Sequence, residues 1–246
     1  MQHRSKKIKK SFFIILVVLI VLSGGSAIYL GNYYHSVDVE KYMNGSSEVS
    51  VEKFDKGWFF DGAGEEKALI FYPGAKVATE AYAPLMYQLA ESGIDCFLVG
   101  MPFHMAFFGM NRAEEIMQEY NYEAWYLGGH SLGGAMAANF VADYVEDHTD
   151  GIRGLLLLAA YPTKDLSTSD MSVVTVYGSE DGVLNMDKIV AGRELMPQDY
   201  KEVCIEGGNH AQFGSYGTQK GDGTAAIPAE EQWARTVEVF VGDESE

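Results

Sequence analysis

Cysteine is scarce in this chain of 246 residues: only Cys96 and Cys204 occur. Two cysteines exclude the disulfide framework of a small secreted domain, and no Cys/His group has metal-ligand spacing. Each lies in an apolar, strand-like run, DCFLVG or EVCIEG. Buried free thiols are expected, with a single disulfide as the alternative in an oxidising compartment. Basic residues are also few, 18 Lys and Arg against 35 Asp and Glu, for a net charge of −17. Five of them (Arg4, Lys6, Lys7, Lys9 and Lys10) lie among the first ten residues, which hold no acid. The remainder has 13 basic residues against 35 acidic ones, a net charge of −22. Such a body repels phosphates, so no nucleic-acid partner is expected. There is no internal repeat and no low-complexity tract. The glycine-rich run 214–224 (GSYGTQKGDGT) has no GK[ST] ahead of a helix, so it is not a phosphate-binding loop. No cofactor and no metal are expected.

One long stretch lacks charge altogether. Residues 11–30 (SFFIILVVLIVLSGGSAIYL) are long enough as a helix to span a bilayer. The basic cluster at 1–10 precedes them and the acidic body follows, which places the N-terminus in the cytoplasm and the body outside. A retained transmembrane signal-anchor is one reading. A cleaved signal peptide with Gly25-Ser26-Ala27 at the cleavage site is the other. Both export the body. Residues 31–47 read as a polar stalk, and residues 48–246 as the folded domain, with enough apolar content (47% of the chain) for a single core.

Within that domain the pattern alternates. SEVSVEKF and GWFF suggest two strands around a turn at Asp55-Lys56-Gly57. KALIFYP, CFLVGMP, AWYLGGH, GLLLLAAY, SVVTVYG and KEVCIEG are short apolar runs suited to strands buried on both faces. Helical spacing separates them over 79–92, 112–120, 132–146, 187–195 and 228–241. Strands divided by helices imply parallel crossovers and an α/β architecture, whose ligands bind at the carboxyl ends of the strands.

The residues that carry chemistry fall at those ends. Gly129-His130-Ser131-Leu132-Gly133 matches G-x-S-x-G between a strand and a helix. The glycines allow a sharp turn that holds Ser131 in a strained conformation, and the helix start offers free N–H groups to a developing anion. A serine needs a base, and the base an orienting acid. YGSEDGV (177–183) offers Asp181, with Glu180 beside it as a weaker rival, and GGNHA (207–211) offers His210. His130 adjoins the nucleophile, but the turn points it away from the Ser131 hydroxyl. His104 follows a strand end and reads as a pocket-lining residue. Phe103, Met105, Phe107, Phe108 and Met110 either line an acyl pocket or pack the core.

With FYPGAKV (71–77), MPFHMAFF (101–108), GGHSLGG (128–134), YGSEDGV (177–183) and GGNHAQFG (207–214), the body resembles the α/β-hydrolase superfamily. It is similar to a compact bacterial branch related to dienelactone hydrolases. The resemblance implies a mostly parallel central sheet flanked by helices, with Ser131 as nucleophile, His210 as base and Asp181 as its orienting acid. It also implies an oxyanion hole from the backbone N–H of Leu132 and that of Ala75, with Lys76 as the alternative to Ala75. Many relatives insert a lid between the sixth and seventh strands. Here 162–170 leaves no room for a sizeable one. The activity so implied is hydrolysis of an ester, less readily an amide or thioester, in a small-molecule or lipid-like acyl substrate. Two alternatives stay open: an envelope acyltransferase with the same triad, and a non-catalytic binding protein on the same fold.

Overall fold

The structure, a computed structural model, describes Gly25, residues 31–148 and residues 151–243. The apolar runs form strands. β1 (Ser50–Phe54) and β2 (Gly57–Asp61) make a hairpin. β3 (Lys67–Tyr72), β4 (Asp95–Val99), β5 (Ala124–His130), β6 (Ile152–Leu158), β7 (Ser172–Gly178) and β8 (Tyr200–Ile205) follow. They assemble one eight-stranded sheet in the order β1-β2-β4-β3-β5-β6-β7-β8. β3 to β8 are mutually parallel, and β2 joins β4 antiparallel.

The helices that flank the sheet include α1 (Glu40–Met43), α2 (Ala83–Glu91), α3 (Arg112–Glu119), α4 (Leu132–Asp147), α5 (Met186–Gly192) and α6 (Ala229–Asp243). The central strands are buried on both faces because helices cover both. Leu69 and Phe71 face a core built with Leu85, Leu89, Trp233 and Phe240 of α2 and α6. Their neighbours Ala68, Ile70 and Tyr72 face a second core with Ile116, Ala137 and Val141 of α3 and α4. This alternation is the two-residue period of a strand. The helix expected over 79–92 starts as a 3-10 turn, Thr79–Tyr82, before α2. Pro84 lies in the first turn of α2, where its missing N–H is tolerated. Between β6 and β7, residues 159–171 form only turns and bends, with no helical lid.

Two expectations need correction. Residues 31–47 are not a free polar stalk, because the compact unit begins at Tyr34. Tyr34 bridges to Val77, and Val39 and Tyr42 are buried. Tyr42 meets the ring of Trp233 edge-on at 6.1 Å and that of Tyr87 at 5.6 Å. A few apolar side chains in a polar stretch suffice to seat it. The cysteines are both free, but only Cys96 is buried; Cys204 is exposed. It lies on β8 at the sheet's edge, with four strands between it and Cys96 on β4, so the two cannot pair. Among the described residues no helix is long and apolar enough to cross a membrane. The expected anchor at 11–30 lies outside those residues, apart from Gly25.

Candidate active site

The carboxyl end of β5 runs into α4 through a single residue, Ser131. Its backbone sits at φ 53° and ψ −122°, a strained conformation for a residue with a Cβ. The surrounding glycines allow the turn. A Cβ on Gly129 would lie 2.5 Å from the Gly133 carbonyl carbon. One on Gly133 would lie 2.1 Å from the Tyr72 carbonyl oxygen. These are backbone collisions that no side-chain movement relieves. The close approach of Gly133 also packs the start of α4 against the end of β3, bringing the FYPGAKV loop to the nucleophile.

Asp181 and His210 stand on the turns after β7 and β8. Asp181 Oδ2 lies 2.8 Å from His210 Nδ1, and both side chains are almost wholly buried. Asp181 Oδ1 accepts the N–H groups of Val183 and Leu184, each at 2.8 Å, so the carboxylate cannot swing away. With a carboxylate at Nδ1, the histidine carries its proton there and presents Nε2 as a base. Ser131 and His210 both line an open cavity of about 370 Å³, with Leu132, Ala135, Met136, Tyr161, Val183 and Leu184 among its walls. The rival acid Glu180 is exposed, and its carboxylate accepts from the hydroxyl of Ser179.

Of the oxyanion candidates, the Lys76 N–H is engaged, donating to the His104 carbonyl at 2.8 Å. That favours Ala75 over Lys76. Ala75 follows Gly74, whose N–H donates to the Tyr82 hydroxyl at 3.0 Å. Tyr82 is fully buried and its hydroxyl also lies 2.8 Å from His130 Nδ1. His130 is therefore turned away from the serine hydroxyl, as the turn geometry suggests, yet it is not remote from the site. Its ring lies 4.4 Å from that of His210, between centroids. Burial, and then the neighbouring His210, push the His130 pKa well below the usual histidine value, so it stays neutral. Nothing in the sequence marks Tyr82 as a member of this group. A tyrosine at helical spacing reads as core, and here it is both core and hydrogen-bonding partner.

Of the Phe103–Met110 segment, half-buried Met110 packs against the second core as one of the two expectations had it, whereas the three phenylalanines do neither thing expected of them. Phe103, Phe107 and Phe108 are 57%, 48% and 53% exposed, so they do not pack the core. They are also not among the walls of the cavity at Ser131. Their rings pack on one another, Phe107 to Phe108 at 4.0 Å and Phe103 to Phe108 at 5.7 Å. Phe103 and His104 both have φ 55°, an unfavourable pair of left-handed residues. His104 is half-buried, and burial lowers its pKa.

A strand-order reversal at β4-β3-β5, an elbow serine and an Asp–His pair at the sheet's carboxyl edge define an α/β-hydrolase class of site. Residues 68–234 match the model of the alpha/beta hydrolase family, and the chain belongs to that family. Solved structures agree on the fold. Est1E from Butyrivibrio proteoclasticus is 15% identical with a TM-score of 0.56, over 81% of this chain and 100% of that one. A further structure of that protein has ferulic acid bound. Carboxylesterase CesB from Bacillus subtilis is 9% identical with a TM-score of 0.56, over 83% and 96% of the two chains. An esterase from Pyrobaculum calidifontis is 14% identical with a TM-score of 0.60, over 84% and 88%. Comparison of the sequence with curated proteins finds no match.

Proposed function

We propose that this protein hydrolyses carboxylic esters through an acyl-enzyme on Ser131. The observation that carries the reading is the buried Asp181–His210 pair at 2.8 Å opening onto the same cavity as a strained elbow serine. His210 Nε2 removes the Ser131 proton as Oγ attacks the ester carbonyl. The backbone N–H groups of Ala75 and Leu132 hold the oxyanion, which the start of α4 also favours. The C–O bond to the alcohol then breaks, and His210 protonates the departing oxygen. Water attacks the acyl-enzyme with His210 again as base, and the acid leaves with Ser131 restored. Asp181 holds the imidazole in the tautomer this needs. The cavity, about 370 Å³ and open, has mostly apolar walls, which suits a compact acyl group. The ferulic acid held by Est1E is a carboxylic acid, the class of product such a reaction releases.

A fluorophosphonate probe is expected to label the wild type and not Ser131→Ala. Equal labelling of both would overturn the assignment.

The working side of this reading is the outer face of the cytoplasmic membrane. The uncharged run at 11–30, basic residues before it and an acidic body after it support that placement. The body begins at Tyr34, whose N–H donates to the Lys76 carbonyl at 2.7 Å, and the Lys76 N–H donates to His104. The chain thus enters the fold two hydrogen bonds from the exposed phenylalanines. The clustered, exposed rings of Phe103, Phe107 and Phe108 suit an apolar–water boundary, which supports a lipid-facing role for them.

A further inference from the structure

We propose that Asp222 is a positioning residue of the hydrolase site, a carboxylate latch that fixes the acid turn against the histidine turn. The proposal rests on the hydrolase reading of Ser131, Asp181 and His210, and adds to it a residue from the glycine-rich loop 214–224.

The Asp222 carboxylate accepts four backbone N–H groups. Oδ1 takes those of Gly182 at 3.1 Å, His210 at 3.2 Å and Gly223 at 2.8 Å. Oδ2 takes that of Ala211 at 2.8 Å. Gly182 directly follows the acid Asp181, while His210 is the base and Ala211 directly follows it. One side chain therefore spans both turns at the residues that carry the catalytic pair. Hydrogen bonds from uncharged donors to a charged acceptor are among the stronger ones, and all four donors are fixed backbone.

The loop is shaped for this placement. A Cβ on Gly223 would lie 2.0 Å from the Glu180 carbonyl oxygen, and one on Gly182 would lie 2.6 Å from the Gly221 carbonyl oxygen. Gly221 itself has φ 90°. Only glycines let the G-D-G segment press into the acid turn closely enough for the aspartate to reach across. The Asn209 side chain adds a donor to the Gly223 carbonyl at 2.8 Å, and the Lys220 N–H donates to the Tyr34 hydroxyl at 3.2 Å. The latch is held from both sides.

No atom of Asp222 is assigned to the reacting centre. Its effect passes through the Asp181–His210 geometry, where a displacement of about 1 Å lowers turnover by roughly 10²-fold. Asp222→Asn keeps the side-chain shape but replaces one acceptor with an NH₂ group that faces an N–H donor. In the full chain this variant is expected to lower kcat on a soluble short-chain ester by about 10- to 100-fold, with KM within about twofold of wild type. The downfield proton resonance of the His210 Nδ1–H is expected to shift or broaden. A role in stability alone would lower Tm and leave both readouts unmoved in the folded protein. Wild-type kcat with an unmoved resonance would overturn the proposal.

Amide hydrogen exchange on the wild type covers the case in which the variant does not fold. Joint protection of the Gly182, His210 and Ala211 amides supports the latch. Exchange of any one at the rate of an open loop amide overturns it. That measurement needs no turnover, so it separates the latch from the reading beneath it. A wild type that neither turns over esters nor takes the fluorophosphonate overturns the hydrolase assignment, and the exchange result still decides the latch.

Discussion

The two rims of the sheet's carboxyl edge are built on opposite principles. On the β7–β8 rim, backbone meets backbone: a Cβ on Gly178 would lie 2.2 Å from Gly208, and Glu180 N donates to the Gly208 carbonyl at 2.8 Å. Asp181 and His210 are buried there, and their partners are fixed. On the β4 rim, bulky residues take left-handed conformations and three phenylalanines face outwards. The first rim spends glycine to gain rigidity. The second tolerates strain and exposure, which a protein keeps where something is to be contacted. Precision belongs to the rim proposed to move protons, and exposure to the rim of the three phenylalanines.

The sharpest way to break this comparison is at the rigid rim. Asp181→Asn leaves the packing intact but removes the anionic acceptor at His210 Nδ1, so the imidazole is no longer held in the productive tautomer. The expected fall in kcat is about 10⁴-fold, with KM little changed. Steady-state kinetics on a soluble ester measure it. A loss under tenfold would mean that another group, with Glu180 the nearest carboxylate in sequence, orients the base.

How much of this was legible beforehand follows the same division. The strands and most helices could be read because each carries its own period, as in KALIFYP or the apolar face of 132–146. The positions of Ser131, Asp181 and His210 just past strand ends could be read because each follows its own apolar run and is flanked by glycines where backbones collide. What could not be read depends on packing between distant segments. Tyr34, Val39 and Tyr42 lie in a polar stretch and gain their place from distant partners such as Val77, Tyr87, Tyr216 and Trp233. Tyr82 looks like core until His130 and Gly74 are found at its hydroxyl. The glycine-rich loop 214–224 could be placed beside the site, but the four donors that Asp222 collects come from turns up to forty residues away in the chain.

A smaller effect concerns the base's buried neighbour. An unfolded histidine takes up a proton near pH 6.5, whereas His130 in the fold resists it. Below that pH the unfolded chain binds the extra proton and the folded one does not, so acidification favours unfolding. Stability is therefore expected to fall as pH drops from about 6.5 toward the lower value His130 has in the fold, at most by about 1.4 kcal/mol per pH unit. Tm measured from pH 7.5 to 5.5 should decline more steeply for the wild type than for His130→Gln, which has no ring to protonate. His104, whose pKa is also lowered by burial, contributes a share of the slope in both proteins. Identical slopes would show that His130 accepts its proton in the folded state.

The outward rim is expected to be the least sensitive to change, and the pattern of its response is what tests it. Phe103, Phe107 and Phe108 are half exposed, so replacing all three with serine leaves no cavity in the core and should move Tm little. Being outside the walls at Ser131, they should leave kcat and KM on a soluble short-chain ester within about twofold of wild type. If the rim rests on lipid, the same variant of the full chain, reconstituted in phosphatidylcholine vesicles, should hydrolyse a vesicle-embedded acyl ester several-fold more slowly. Equal losses on both substrates would place the phenylalanines in substrate binding, and equal rates on both would remove the lipid contact. Only a loss confined to the embedded ester keeps the two rims distinct, one holding the chemistry still and the other bringing the substrate's surface to it.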